Sequence, residues 1–330
     1  MGCGDGGDAD SGGSTDASET SGPSTSATTT TATTTTASTT TATTSTTTAS
    51  TTDDTGTTDV DPTDVDPTEV DTTGDPGECL EATLLWSEDF ETGDYSRWTS
   101  MTYDGDWNGG LCHDNGFSSE QSVSPGSSHR SEVTCESDMD VHRGYGGLQF
   151  EGDAVVPAYT NQGEGIEAPF GVVNTFWSRV DAPYAFENGR WFSFWTVNDA
   201  CDYSSNVLTL GLENAENVLT PAHVLNNGGT VDFDPNAPAF PIGVFARITI
   251  YVNYYDGVLH VWQDGASVVH ATFDRPGTDL CQWHWGLYAS GDNTDVVLWE
   301  DDNSLWKLEE AWSDFTVEPW IGETVAACSG

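Results

Sequence analysis

Over most of residues 82–320 apolar side chains recur at every second position, and that period leaves little but β-sheet open to the chain. Residues 247–255 put Ile248, Ile250 and Val252 on one face and Thr249, Tyr251 and Asn253 on the other. Residues 258–264 follow directly after Asp256-Gly257, a pair suited to a type I′ hairpin turn. Asp264-Gly265 then turns the chain again into residues 267–273. Further strand-like runs occupy 83–90, 130–136, 148–150, 190–197, 207–212, 281–289 and 314–318. Only residues 304–312 read as a short helix. Many short strands set off by turn residues predict an all-β fold, a two-sheet antiparallel sandwich.

The period stops abruptly upstream. Residues 1–78 hold no Lys, Arg, His or aromatic residue, so all 13 Trp, 10 Tyr and 13 Phe fall in residues 79–330. Residues 28–52 consist of 18 Thr, 4 Ala and 3 Ser. Such a run buries no apolar surface against its ordering entropy, which predicts a disordered Thr/Ser/Asp-rich tail over 1–78 and one domain over 79–330. The repeat Val60-Asp61-Pro62-Thr63-Asp64, Val65-Asp66-Pro67-Thr68-Glu69 adds prolines and mutually repelling carboxylates, as an extended spacer would. At its start, Met1-Gly2-Cys3 resembles the end of a bacterial lipoprotein signal, with the preceding apolar segment missing. The expectation is a lipid tether on Cys3, and an extracellular or cell-surface lipoprotein of the bacterial outer envelope.

Charge narrows the partners. With 54 acidic and 8 basic side chains the net charge is −46, which leaves no cationic footprint for nucleic acid. Membrane contact is expected only through the N-terminal anchor, and the domain is expected to be a monomer. Six cysteines lie in the body with no C-x-x-C pair, which in an exported chain reads as disulfides and not a zinc site. Six cysteines allow fifteen connectivities. The pairing chosen here is Cys79 with Cys328, Cys112 with Cys135, and Cys201 with Cys281.

Several segments resemble the concanavalin A-like jelly-roll superfamily. They are Phe240-Pro241-Ile242-Gly243, Asp256-Gly257-Val258 and Val261-Trp262-Gln263-Asp264-Gly265, which are similar to its paired central strands. Trp86-x-x-Asp89-Phe90-Glu91-x-Gly93 resembles its opening strand, and Ser313-Asp314-Phe315-Thr316-Val317 its closing strand. The resemblance implies a jelly roll, a fold that hosts lectins, glycosidases, lyases and adhesion modules.

Alternation also assigns faces. Cys281, Trp283, Trp285 and Leu287 share one side of their strand, and Gln282, His284, Gly286 and Tyr288 share the other. Leu259 and Val261 oppose His260 and Trp262. If these strands are neighbours, Tyr251, His260, Trp262, Gln282, His284 and Tyr288 line one groove, with rings to stack on sugars and groups to hydrogen-bond them. The plain alternative is a solvated sheet face.

His129-Arg130-Ser131-Glu132-Val133 resembles the Arg-Ser/Thr-Glu-Leu motif of jelly-roll alginate lyases and the Arg-x-Glu strand of heparin-lyase-like proteins. Gly286-Leu287-Tyr288 resembles their Gly-x-Tyr strand. The resemblance implies that Arg130 neutralises a uronate carboxylate and Tyr288 transfers protons, assisted by His284 or His260, with Glu132 lining the site. The lyases' Gln-Ile/Val-His motif is unmatched, Ala222-His223-Val224 being nearest, and the plain alternative for Arg130 and Glu132 is an ion pair along a strand. A glycosidase of this fold would want Glu-x-Asp-x-x-Glu, which the chain lacks. Glu88, Asp89, Glu91 and Asp314 are candidate ligands for a structural calcium, and no other cofactor is expected. Three functions stay open: binding of extracellular polysaccharide, cleavage of a uronate glycan by β-elimination, or a non-sugar adhesion module.

Overall fold

A computed structural model describes residues 81–101, 112–136, 141–160, 163–187, 189–199, 201, 207–223, 228–274 and 279–311. Cys3, Cys79, Asp314, Cys328, the tail 1–78 and the strand expected at 314–318 lie outside them.

The described residues form strands and no helix. In chain order the strands are β1 (Ala82–Glu88), β2 (Ser100–Met101), β3 (His113–Ser118), β4 (Ser128–Val133), β5 (Val141–Glu151), β6 (Ala154–Val155), β7 (Val172–Asp181) and β8 (Phe192–Asn198). They continue with β9 (Leu208–Leu212), β10 (Leu219–Ala222), β11 (Thr230–Phe233), β12 (Ala246–Asn253), β13 (Val258–Gln263), β14 (Ala266–Thr272), β15 (Gln282–Ser290) and β16 (Val296–Leu308). Two antiparallel sheets pack as a sandwich. The larger runs β11-β14-β13-β12-β7-β16-β4-β3, with β1 also paired to β16. The smaller runs β10-β9-β8-β15-β5-β2, with β6 paired to β5.

The turns separate two cases. At Asp264-Gly265 both residues have positive φ, 49° and 82°, between the paired residues Gln263 and Ala266, so a two-residue primed turn closes β13 and β14. The Asp256-Gly257 turn differs from the expectation. Asn253 pairs with Val258, four residues fill the loop, and only Gly257 has positive φ. The Asn253 Oδ1 accepts from the amides of Tyr255 at 2.9 Å and Asp256 at 3.1 Å, so a side-chain cap replaces the tight turn.

The first five residues of the segment expected to be helical, 304–308, are strand. Residues 304–308 belong to β16, a 13-residue strand that pairs with β4 through its first half, with β1 through its second, and with β7 along the other edge. β16 is also polar where it is buried: Glu300, Asp301 and Asn303 are essentially inaccessible. Each finds partners. Asp301 accepts from the amides of Val123 at 2.6 Å and Ser124 at 3.1 Å. The Asn174 amide donates to Asn303 Oδ1 at 2.9 Å and to the Ser304 carbonyl at 2.7 Å. Glu300 lies 3.4 Å from His129 Nδ1, and His129 Nε2 meets Asn115 Oδ1. Burial pushes Glu300 well above the carboxylate range and His129 down to about 3, so both are held neutral. The protonated carboxyl then donates to Nδ1, and Nε2–H donates to Asn115.

The core lies between the sheets. Trp285 of β15 stacks on Trp86 at 4.9 Å between ring centroids and meets Trp98 edge-on at 6.0 Å. Its Nε1–H donates across the sandwich to Asn174 Oδ1 of β7 at 2.8 Å, fully buried. Ser131 of β4 likewise donates to the Gly144 carbonyl of β5 at 2.5 Å. Two disulfides join Cys112 to Cys135 and Cys201 to Cys281, with Cα atoms 5.0 and 5.2 Å apart. Both pairings match the expectation.

Trp285→Phe keeps the stacking ring and strands the buried Asn174 oxygen. The expected cost is about 1–3 kcal/mol, read as a lower denaturant midpoint with an unchanged slope.

Candidate functional site

The residues singled out from the sequence fall on two different faces. Tyr251, His260 and Trp262 belong to β12 and β13 of the large sheet, whereas Gln282, His284 and Tyr288 belong to β15 of the small sheet. The strands are not neighbours, so the single groove expected from adjacency does not form. On the outside of the large sheet Tyr251 and Trp262 pack with Val173 and Leu308, and His260 stacks on Trp262 at 3.9 Å. Both rings are buried there, and the Tyr251 hydroxyl donates to the Phe170 carbonyl at 3.1 Å.

Arg130 is displaced for the same reason. His129 and Ser131 point into the sandwich, so the alternation turns Arg130 and Glu132 outward from the large sheet. There Arg130 pairs with Glu132 at 2.7 Å and lies over Trp299 at 5.3 Å. Arg130 and Tyr288 therefore sit on opposite sides of the sandwich. Of the calcium candidates, Asp314 lies outside the described residues, and the other three hold nearby backbone amides. Glu88 accepts from the Phe90 amide at 3.0 Å, Asp89 from the Glu91 amide at 3.2 Å, and Glu91 from the Ser127 amide at 3.2 Å. No group of three or more His, Cys, Asp or Glu able to hold a metal occurs among the described residues.

The outer face of the small sheet assembles a different set. Tyr288 on β15 pairs in register with Arg143 on β5, and the guanidinium lies 5.4 Å from its ring. Two residues along β5, Tyr145 stacks on His284 at 4.2 Å and 17° between planes. Tyr159 closes over the pair, its hydroxyl 3.3 Å from His284 Nε2. Gln149 sets that position: it donates to the Thr160 carbonyl at 2.7 Å and accepts from the Thr160 amide at 2.7 Å. Gly147, opposite His284, is required here, because a Cβ would occupy the space of the Tyr159 hydroxyl.

Electrostatics follow from this packing. Burial, with Arg143 adding to it, pushes His284 down to about 3, so the imidazole is neutral at neutral pH. Burial raises Tyr145 to about 12 and raises Tyr159 as well, so both phenols keep their protons. Tyr159 as a residue is 39% exposed while its hydroxyl points inward at His284, and it is the hydroxyl that is desolvated.

A trough continues from this cluster. Registry places Arg143, Tyr288, Ser193, Gly211 and Thr220 in one row across β5, β15, β8, β9 and β10. Four inter-strand steps make that row about 19 Å wide. A second row runs Gly147, His284, Thr196, Thr209, Ala222. Between them lies a pocket of ≈390 Å³ with a floor of Ser193, Thr209, Gly211 and Ala222. Trp191 and Tyr288 wall one side, their centroids 4.9 Å apart, and Glu213 and His223 close the other. Burial in the wall raises Glu213 above its ordinary value, the nearby His223 opposing.

Sequence reasoning missed Arg143, Tyr145, Tyr159, Trp191, Glu213 and the placement of His223. A signal existed for two of them: Arg143 and Tyr145 alternate with Gly144 and Gly146, so both had to share a face if 141–147 is strand.

No family model and no curated protein matches the chain. Solved structures do. "Cellulose induced protein, Cip1" is 16% identical with a TM-score of 0.45, over 69% of this chain and 100% of its own. "Alginate lyase AlgAT5 from Polysaccharide Lyase family 7" is 12% identical, TM-score 0.34, over 54% of this chain and 77% of its own. The catalytic domain of the glycoside hydrolase family 131 protein from Coprinopsis cinerea is 10% identical, TM-score 0.41, over 71% and 96%. At these similarities no residue role transfers, and the site stands on its own geometry.

Gly147→Ala should lift Tyr159 off His284 and admit water. The His284 pKa then rises from about 3 toward the ordinary 6.5, by at least about one unit, in an NMR titration of the histidine ring protons.

Proposed function

We propose that this protein binds an extracellular polysaccharide across the outer face of the small sheet. The observation that carries the reading is the trough itself, with the Trp191 and Tyr288 rings on one side and a floor of small residues. Flat rings suit the apolar faces of pyranoses, and the flanking Ser193, Thr209, Glu213 and His223 supply polar groups for hydroxyls. The floor matters as much as the walls, since any large side chain there would fill the space a sugar needs. The two disulfides support an oxidising, extracellular setting. Trp191→Ala and Tyr288→Ala should each weaken retention in polysaccharide affinity gels at least about tenfold while the far-ultraviolet spectrum stays unchanged. Full retention in both variants would move binding away from this face.

A second reading, β-elimination on a uronate, is favoured by one cluster: cationic Arg143 at the Tyr288 ring, with a neutral imidazole at His284. In that reaction Arg143 would offset the carboxylate charge, making the C5 proton acidic enough to remove. The proton passes to a base, the electron pair forms the C4–C5 double bond, the C4–O bond breaks, and the leaving oxygen takes a proton. Tyr288 can carry that proton, while His284, covered by Tyr159 and Tyr145, stays neutral behind it. Arg143 takes the place that the sequence resemblance had given to Arg130. Incubation with uronate polymers should raise ultraviolet absorbance from the unsaturated product, and Arg143→Gln or Tyr288→Phe should abolish the rise. A flat trace with retained gel binding leaves the binding reading alone.

A further inference from the structure

The trough is electrically lopsided. Arg143 stands at its β5 end and Glu213 follows β9, three inter-strand steps or about 14 Å away. Tyr288, Trp191 and Ser193 lie between. A chain lying along the row presents one sugar to a fixed cation and another, a few residues on, to a carboxylate. In a homopolymer of uronates every sugar is charged, so a carboxylate that reaches Arg143 brings another against Glu213. Like charges at such range repel appreciably, more so in a partly desolvated wall than in open water.

We infer that the trough selects a heteroglycan in which acidic sugars are separated by neutral ones, the carboxylate docking at Arg143 and a neutral sugar lying against Glu213 and His223. The inference rests on the reading that this face binds polysaccharide, and it names the substrate class. The state of Glu213 agrees with it. Burial already holds that carboxyl above its ordinary value, and a second anion beside it would raise the cost of its ionised form further. The chain as a whole agrees too: its net charge of −46 gives a polyanion no general attraction, so an anionic ligand depends on a local cation.

The test uses the full chain and three hexasaccharide probes in calorimetric titrations at pH 7. One is a homopolyuronate, one alternates uronate with a neutral N-acetylhexosamine, and one is neutral. The alternating probe should bind at least about tenfold tighter than the homopolyuronate. Glu213→Gln should raise homopolyuronate affinity several-fold and narrow that ratio, Glu213→Lys should invert it, and Arg143→Gln should reduce the alternating probe to the level of the neutral one. Homopolyuronate bound as tightly as the alternating probe, with both lost in Tyr288→Ala, would overturn the inference while leaving the binding reading intact. No binding of any probe would remove the binding reading and the inference with it.

Discussion

Buried acidic and amide side chains in the middle of the longest described strand set the terms for the rest of the sandwich. Glu300, Asp301 and Asn303 lie inside β16, and buried polar groups without partners are costly. Partners come from four directions: the 123–124 loop supplies amides to Asp301, β4 supplies His129 to Glu300, β3 supplies Asn115 to His129, and β7 supplies Asn174 to Asn303. Asn174 then turns to the opposite sheet and takes the Trp285 N–H. One polar chain of contacts therefore runs from the large sheet into β15. A purely apolar interface could slide; this one has fixed donors and acceptors, which sets the two sheets in a single relative position.

That coupling is what positions the candidate site. Trp285 holds β15 from within, while His284 and Tyr288 on the same strand face outward. Their neighbours are fixed by backbone registry with β5 and β8, and Tyr159 is held by the two hydrogen bonds between Gln149 and Thr160. The polar and aromatic groups on this face are thus carried on paired strands, the elements that position side chains most rigidly. Low pKa at His284 is a consequence of the same packing, since a looser Tyr159 would let water reach the ring.

The fold class was readable because apolar residues alternate along β12, β13 and β15. Strands that broke the pattern were not. β16 contains Glu300-Asp301-Asp302-Asn303-Ser304, which reads as surface because its burial depends on partners far away in sequence. β5 carries Gly144, Gly146 and Gly147, and only its last residues look like strand; at Gly147 the glycine leaves room for the Tyr159 hydroxyl and the His284 ring. β7 went unnoticed. Within β15 the two faces were assigned correctly, and two of the disulfides as well. Which strands neighbour which was not legible: alternation gives the face a residue takes, not the sheet it joins. That gap placed Tyr251, His260 and Trp262 beside His284, and Arg130 beside Tyr288, when pairing divides them between two sheets.

The alternation along β15 carries a consequence for how such a protein can change over generations. Adjacent positions answer to separate demands, Trp283, Trp285 and Leu287 to the interior, and Gln282, His284 and Tyr288 to whatever meets the outer face. The trough floor extends this separation to β8 and β9, where Ser193, Thr209 and Gly211 alternate with core residues. Drift in ligand preference can then proceed at every second codon without eroding the scaffold, and lineages could diverge widely in what they hold while keeping the same interior.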